Sequence, residues 1–201
     1  MSFLAQYQNA VKERAEQNVP PLPLSKEQAT QLCELLIKEP SPELVSLLEN
    51  RVSPGVDDAA LVKCEFLDKI LKNELKCALI DKAHALKMLG TMLGGYNVKV
   101  LLNALKQSDT AELAAAELKN IIFIHDDFHA VAELAKTNAH AKAVLESWAN
   151  AEWFLQRAKL PEVIKCVAFK VAGETNIVSC FIVFFVLFCY NNVPIGKLLC
   201  R

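Results

Sequence analysis

The sequence SKEQATQLCELLIKEPSPELVSLL, residues 25–48, decides the fold class of this chain. Ser25, followed three residues later by Gln28, is the capping-box signature of a helix N-terminus. Leucines at helical spacing then form one apolar face, and Pro40 ends the run because proline cannot continue a helix. Pro42, which fits the first helical position, begins a second helix with the same leucine spacing. The stretch therefore predicts two short amphipathic helices joined by a tight turn.

The same alternation of helices and punctuation extends over residues 1–160. Asp57 and Asp81 are predicted to cap helices, and Gly94-Gly95 is the expected exit from the second of these. Other segments with helical character are 3–17, 97–106, 109–120, 127–137 and 139–150. About eight short helices with short connections and no strand predict an all-α array of antiparallel pairs, a HEAT-like α-solenoid.

The character of the sequence changes after Pro161. Residues 163–171, VIKCVAFKV, are rich in β-branched side chains that alternate along an extended chain, which predicts a strand. A lone strand is not a domain. We therefore expect 1–160 to be a helical domain and 161–176 to be the incomplete start of a second, β-containing one.

A third segment, 177–201, differs from both. It opens with IVSCFIVFFVLFCY, 14 residues without a charge. As a helix this run would reach about 21 Å, less than the roughly 30 Å of a bilayer core, so a membrane span is not favoured. Its β-propensity and lack of proline are typical of an aggregation-prone segment.

Composition limits the class of function. Hydrophobic residues make up 53% of the chain and charged ones 22%, which is enough apolar material for a sizeable core. A net charge of -1 predicts no nucleic-acid interface, because such interfaces need a clustered positive face. The N-terminal residues 1–17 lack the apolar core of a secretion signal. We expect a cytoplasmic protein.

The seven cysteines include no pair at the C-x-x-C spacing of zinc or thiol-redox sites. Their odd number favours free thiols in a reducing compartment. Cys33, Cys64 and Cys77 fall beside leucines on predicted helix faces. We expect them to be buried structural thiols.

One local pattern raises the question of a metal site. His125 and His129 stand at i and i+4, close to the H-E-x-x-H zinc motif. The acid between them is Asp126 rather than Glu, and no third ligand is evident. Asp126 and Asp127 also resemble helix caps, which would leave His125 outside the helix. The cap interpretation is favoured over metal binding.

Two further motifs have a structural and a functional interpretation. Trp148, Trp153 and Phe154 would suit either an exposed contact or core and interdomain packing, and packing is favoured because large aromatics are usually mostly buried. The Gly94–Asn97 segment is glycine-rich but lacks the lysine and the strand–turn–helix context of a phosphate loop. It is interpreted as a helix-terminating turn.

Four strings carry a family resemblance in the right order and at fitting spacing: ENRVSPGVDDAALVKCEFL at 49–67, LGTMLGGYNV at 89–98, SWANAEWFLQRA at 147–158 and FKVAGETN at 169–176. Over 1–176 the chain resembles aconitase B, the bacterial aconitate hydratase. The resemblance implies a HEAT-like N-terminal domain followed by a β-containing swivel domain. The predicted strand at 163–171 lies where the family would place the start of that second unit.

The resemblance also implies where the chemistry lies. The family converts citrate to isocitrate through cis-aconitate on a [4Fe–4S] cluster, held by three cysteines in downstream catalytic domains. No family motif with a cluster ligand or substrate-binding residue occurs in this chain, so we expect no catalytic, cofactor-binding or metal residue in it. The likeness stops at Ile177. We interpret 177–201 as a segment translated out of frame.

Three hypotheses of function follow. The first is a truncated aconitase B whose helical domain mediates protein–protein contact and is catalytically inert alone. Its partners would be the remaining aconitase domains, a second copy in a homodimer, or other proteins. The second is a free-standing α-solenoid binding module, and the third is a helical protein anchored in a membrane by its C-terminal segment.

Overall fold

The computed structural model describes residues 3–93, 95–121 and 127–155, without the side chains of Trp153 and Phe154. Over these residues the chain is all-α, as predicted, and the described ranges contain ten helices and no strand. In chain order the helices are α1 Phe3–Glu16, α2 Lys26–Lys38, α3 Pro42–Asn50, α4 Asp58–Leu71, α5 Lys82–Gly90, α6 Tyr96–Leu105, α7 Ala111–Asn120, α8 Asp127–Leu134, α9 Ala139–Ala149 and α10 Glu152–Leu155. The last of these, with four residues, was not predicted.

The predicted helix starts are confirmed by their capping hydrogen bonds. The amide of Gln28 donates to Ser25 Oγ at 3.3 Å, and the amide of Ser25 donates to Gln28 Oε1 at 3.0 Å, which completes the capping box. The carboxylates of Asp57 and Asp81 each accept from the amide three residues further on, at 2.8 and 2.7 Å. Each cap pairs an amide that has no partner within its own helix.

The end of α5 differs from the prediction. The helix ends at Gly90, with Thr91 as its C-cap in a right-handed conformation. Gly95 does adopt the left-handed conformation, at φ 87°, but it is the N-cap of α6 rather than the exit from α5. The segment between α5 and α6 is fixed by the loop that precedes α4, because the Leu93 amide donates to the Pro54 carbonyl oxygen at 2.7 Å.

Helices pack mainly against their near neighbours in the chain. The main helix pairs are α2 with α3 and α4, α4 with α5 and α6, α5 and α6 with α7, and α7 and α8 with α9. One continuous core runs through them, and its largest fully buried side chains are Leu32, Leu36, Leu48, Leu67, Ile80, Leu86, Leu89, Met92, Val98, Leu101, Leu105 and Leu118. Each such side chain stabilises the fold by about 1.5–3 kcal/mol. A core built from successive neighbours is the packing expected of a helical array.

The chain divides into two compact units, Met1–Phe154 and Leu155–Arg201. The second lies outside the described residues apart from Leu155. The predicted strand at 163–171, the domain boundary at 160 and the apolar segment 177–201 therefore remain predictions. None of the helices in the described ranges has the length and apolarity that crossing a bilayer requires.

Candidate interaction surface

The three cysteines predicted to be structural lie in or against the core. Cys33 and Cys64 are buried, and burial raises the pKa of each thiol to about 12 because the thiolate is poorly solvated there. Cys77 was also predicted to be buried but is only half-buried, and its thiol donates to the Leu36 carbonyl oxygen at 3.5 Å. Since the thiolate is the reactive form, the two buried cysteines are poor nucleophiles and poor metal ligands.

The histidine pair is only partly within the described residues. Helix α8 begins at Asp127, and His129 lies in its first turn with an exposed side chain. The imidazole meets the Phe128 ring edge-on, with 5.9 Å between ring centroids. His125 and Asp126 lie outside the described residues, so the i,i+4 pairing remains untested. Within the described ranges, no group of three or more His, Cys, Asp or Glu is placed to hold a metal ion.

Trp148 is a core residue, as the packing interpretation predicted. Its side chain is 5% exposed, and its indole Nε1 donates to the Leu118 carbonyl oxygen at 3.0 Å. Its ring stacks on Phe128, with centroids 6.0 Å apart. The side chains of Trp153 and Phe154 lie outside the described residues.

The glycine-rich segment holds two helices together. Asn97, in the first turn of α6, is fully buried, and its Nδ2 donates to the carbonyl oxygens of Leu89 at 2.7 Å and Met92 at 2.9 Å. It thereby pairs the Met92 carbonyl oxygen and adds a second donor to that of Leu89, which also accepts from the Met92 amide at 3.1 Å. The segment is a structural junction, which agrees with its interpretation as a turn rather than a phosphate loop.

Next to this junction are two exposed apolar side chains, Val56 and Leu93, on loops that a hydrogen bond joins, and we call them the Val56–Leu93 patch. The two side chains are 69% and 64% exposed. Hydrogen bonds fix the loops that carry them, because Leu93 N donates to Pro54 O and Tyr96 Oη donates to the Val56 carbonyl oxygen at 2.9 Å. Sequence periodicity did not reveal this patch, since both residues lie in loops.

A groove of about 410 Å³ adjoins the patch through Tyr96. It runs between α4 and α6 and is lined by apolar and charged groups, namely Leu61, Cys64, Glu65, Asp68, Gly95, Tyr96, Lys99 and Val100. An apolar centre with charged groups beside it is the usual composition of a protein-binding surface. The groove and the Val56–Leu93 patch together form the candidate interaction surface.

The sequence also did not predict a group of ionisable side chains that meet in the fold. Glu49 Oε1 lies 2.6 Å from His84 Nε2, across α3 and α5. Lys63 of α4 is buried nearby, with 2% of its surface exposed. The helical pattern did not predict that Lys63 is buried, because lysine side chains are normally exposed to solvent.

Comparison with known proteins finds a family and several relatives that this chain resembles. A family model described as the aconitate B N-terminal domain matches residues 6–154. The aconitate hydratase B of Pseudomonas aeruginosa is 49% identical over 178 residues, that of Synechocystis 46% over 179, and that of Escherichia coli 46% over 178. Each alignment covers 87% of this chain but only 20–21% of the relative. The chain thus spans about a fifth of the length of the curated relatives it matches.

Proposed function

The chain belongs to the family of aconitate B N-terminal domains, and we propose that it acts as the interaction domain of an aconitate hydratase B. On this proposal the conversion of citrate to isocitrate, and the [4Fe–4S] cluster that supports it, belong to the other domains of the enzyme. The helical domain is a HEAT-like array, and the pairing of helices that are near neighbours in the chain supports this. The observation that carries the proposal is that the match comprises one domain of proteins about five times as long.

The candidate interaction surface has the physical properties that docking needs. Burying the exposed Val56 and Leu93 side chains would gain about 25 cal/mol for each Å² of apolar surface removed from water. The hydrogen bonds at Pro54 and Tyr96 already hold the two loops, so little conformational entropy is lost on binding. Glu65, Asp68 and Lys99 provide charged groups beside the apolar centre.

The occupant we assign to this surface is the remaining part of an aconitate hydratase B. About four-fifths of each relative lies outside the aligned segment, so a large protein surface of the same enzyme is available as a partner. A contact within one polypeptide needs only modest affinity, because the covalent connection supplies a high effective concentration. A small rigid patch beside a groove suits such a contact.

The test is binding in trans. The Pseudomonas aeruginosa aconitate hydratase B, without the segment that aligns with this chain, is titrated with the 201-residue chain by isothermal titration calorimetry. We expect saturable binding, and we expect the double variant Val56→Asp, Leu93→Asp to weaken it at least about tenfold. Leu22→Asp is the matched control, because Leu22 is 61% exposed but lies in the α1–α2 connection.

The possible results separate the proposal from its rival. If circular dichroism shows both partners folded and no heat of binding is seen, docking onto the rest of the enzyme is wrong. A free-standing binding module would then be the better hypothesis. If the double variant and Leu22→Asp bind as well as the unaltered chain, the domain docks through another surface and the assignment of the Val56–Leu93 patch is wrong.

A further inference from the structure

Lys63 carries a buried ammonium group with few acceptors. It is 2% exposed, and among the described residues its Nζ makes one hydrogen bond, to the Glu49 carbonyl oxygen at 3.5 Å, and no ion pair within 4.0 Å. An ammonium has three hydrogens to donate, so at least two lack a described protein acceptor. Burial lowers the pKa of Lys63, although the nearby charge of Glu49 opposes this effect. A buried ammonium group with so few acceptors destabilises the fold unless an anion pairs with it.

Beside Lys63 is a cavity of about 280 Å³. Residues from the end of α3, from α4 and from α5 with its C-cap line it, and these are Glu49, Asn50, Lys63, Lys87, Met88 and Thr91. The volume is close to the lower limit of small-molecule pockets. It is large enough for a small polyatomic ion but not for a peptide segment.

The neutral groups of this wall are already engaged. Asn50 Nδ2 donates to the Ser46 carbonyl oxygen at 3.0 Å, and Thr91 Oγ1 donates to the Met88 carbonyl oxygen at 2.7 Å. The donors that remain for a guest are the ammonium groups of Lys63 and Lys87. Lys87 is exposed and forms no ion pair with the described residues.

The acidic group of the wall is also engaged. Glu49 Oε1 contacts His84 Nε2 at 2.6 Å, so part of its hydrogen-bonding capacity is used outside the cavity. The other carboxylate near these lysines is Glu117, whose pKa is raised by burial although the charge of Lys87 opposes this effect. Two lysines, one of them buried and incompletely paired, therefore line a cavity whose own carboxylate already contacts His84.

We propose that this cavity binds a small oxyanion, a phosphate or a short carboxylate, between the Lys63 and Lys87 ammonium groups. Both ligand types present several oxygen acceptors at short spacing, which two ammonium groups can share. Lys63 would provide the buried, strongly interacting donor and Lys87 the exposed one. The site is independent of the Val56–Leu93 patch, and it adds an activity to the proposed interaction domain.

The test measures ligand-induced stabilisation of the 201-residue chain. Thermal unfolding is followed with increasing sodium phosphate, and separately with sodium malonate, at an ionic strength held constant with sodium chloride. We expect a saturable rise in Tm of about 6 °C at a hundredfold excess over Kd for at least one of the two. Whichever salt produces the rise identifies the oxyanion as phosphate or carboxylate.

Variants connect the response to the cavity. Lys63→Met should abolish the rise, while Lys12→Gln, at an exposed position in α1, should retain it in full. Lys87→Gln should weaken the affinity several-fold, and its exposed position keeps it informative if Lys63→Met does not fold. Glu49→Gln should strengthen binding about fivefold, because it removes a competing charge from the wall.

Two results would overturn the site. One is the absence of any saturable response to either oxyanion. The other is a response that persists unchanged in Lys63→Met and Lys87→Gln, which would place the binding elsewhere on the surface.

Discussion

The indole Nε1 of Trp148 donates a hydrogen bond of 3.0 Å to the main-chain oxygen of Leu118. This bond joins α9 to α7, and the stacking of Phe128 on the same indole adds α8 to the contact. Three successive helices therefore meet at one side chain. The polar atom of a buried tryptophan is paired, as buried indoles usually are.

Removing that hydrogen bond should destabilise the helical unit measurably. Trp148→Phe keeps a buried aromatic ring but removes the side-chain donor to the Leu118 carbonyl oxygen, which keeps only the bond from the Ile121 amide at 3.2 Å. We expect a loss of about 1–2 kcal/mol in the free energy of unfolding, measured by urea titration with circular dichroism. Phe128→Leu is the control, because Phe128 is 45% exposed and should lose less than about 1 kcal/mol. Equal losses in the two variants would contradict the role given to the hydrogen bond.

Asn97 makes a second testable connection, between α5 and α6. Asn97→Ala removes both hydrogen bonds from Nδ2, to Leu89 and Met92, in a fully buried place. We expect a loss of about 1–3 kcal/mol by the same titration, since both carbonyl groups lose their side-chain donor, although Leu89 O keeps the bond from the Met92 amide. Asn103→Ala, at an exposed position of the same helix, should change the free energy by less than about 0.5 kcal/mol. If Asn97→Ala loses no more unfolding free energy than Asn103→Ala, the junction is held by apolar packing alone.

Substitutions at Gly95 test the effect of backbone conformation, because the space around the residue is open. At φ 87° a side chain is strained, yet an added Cβ would have no atom within 4 Å. Gly95→Ala should therefore cost about 1 kcal/mol. Gly95→Asn should cost less, because asparagine tolerates the left-handed conformation better than alanine. If asparagine is as unfavourable as alanine in thermal unfolding, the backbone explanation fails.

The cysteines should react with alkylating reagents in order of exposure. With pKa values raised to about 12, Cys33 and Cys64 hold little thiolate at pH 8 in the folded chain. Peptide-resolved mass spectrometry after brief treatment with iodoacetamide should find Cys77 alkylated before either of them. Unfolding in urea should remove the difference, because it exposes all three thiols. Rapid alkylation of Cys64 in the folded chain would contradict its burial.

Local sequence signals predicted the helices but not all of their junctions. The capping box at Ser25 and the aspartate caps are short-range patterns, and the structure contains them at the predicted positions. The exit of α5 was misplaced because Gly94-Gly95 is a strong local signal. The helix in fact stops at Gly90, where Asn97 and the Pro54 carbonyl oxygen hold the following residues from outside α5. These partners are distant in the chain or lie on another helix, so the spacing of apolar residues along one helix cannot predict them.

The candidate sites were harder to predict for the same reason. Val56 and Leu93 lie 37 residues apart, and their loops meet only in the folded chain, where the Leu93 amide donates to the Pro54 carbonyl oxygen. Lys63 occupies a position that a helical pattern assigns to solvent, while the packing of α3 and α5 covers it. A surface or cavity formed by several helices depends on tertiary packing, which composition and spacing do not contain.

The most direct test of the account is a chimeric enzyme. Residues 6–154 of this chain replace only the residues that align with them in the Pseudomonas aeruginosa aconitate hydratase B, and hydration of cis-aconitate is measured against the unaltered enzyme. If the chain is the interaction domain of an aconitate hydratase B, the chimera should show hydratase activity comparable to that enzyme, and Val56→Asp with Leu93→Asp should reduce it. A chimera that is folded but shows no hydratase activity would contradict the account.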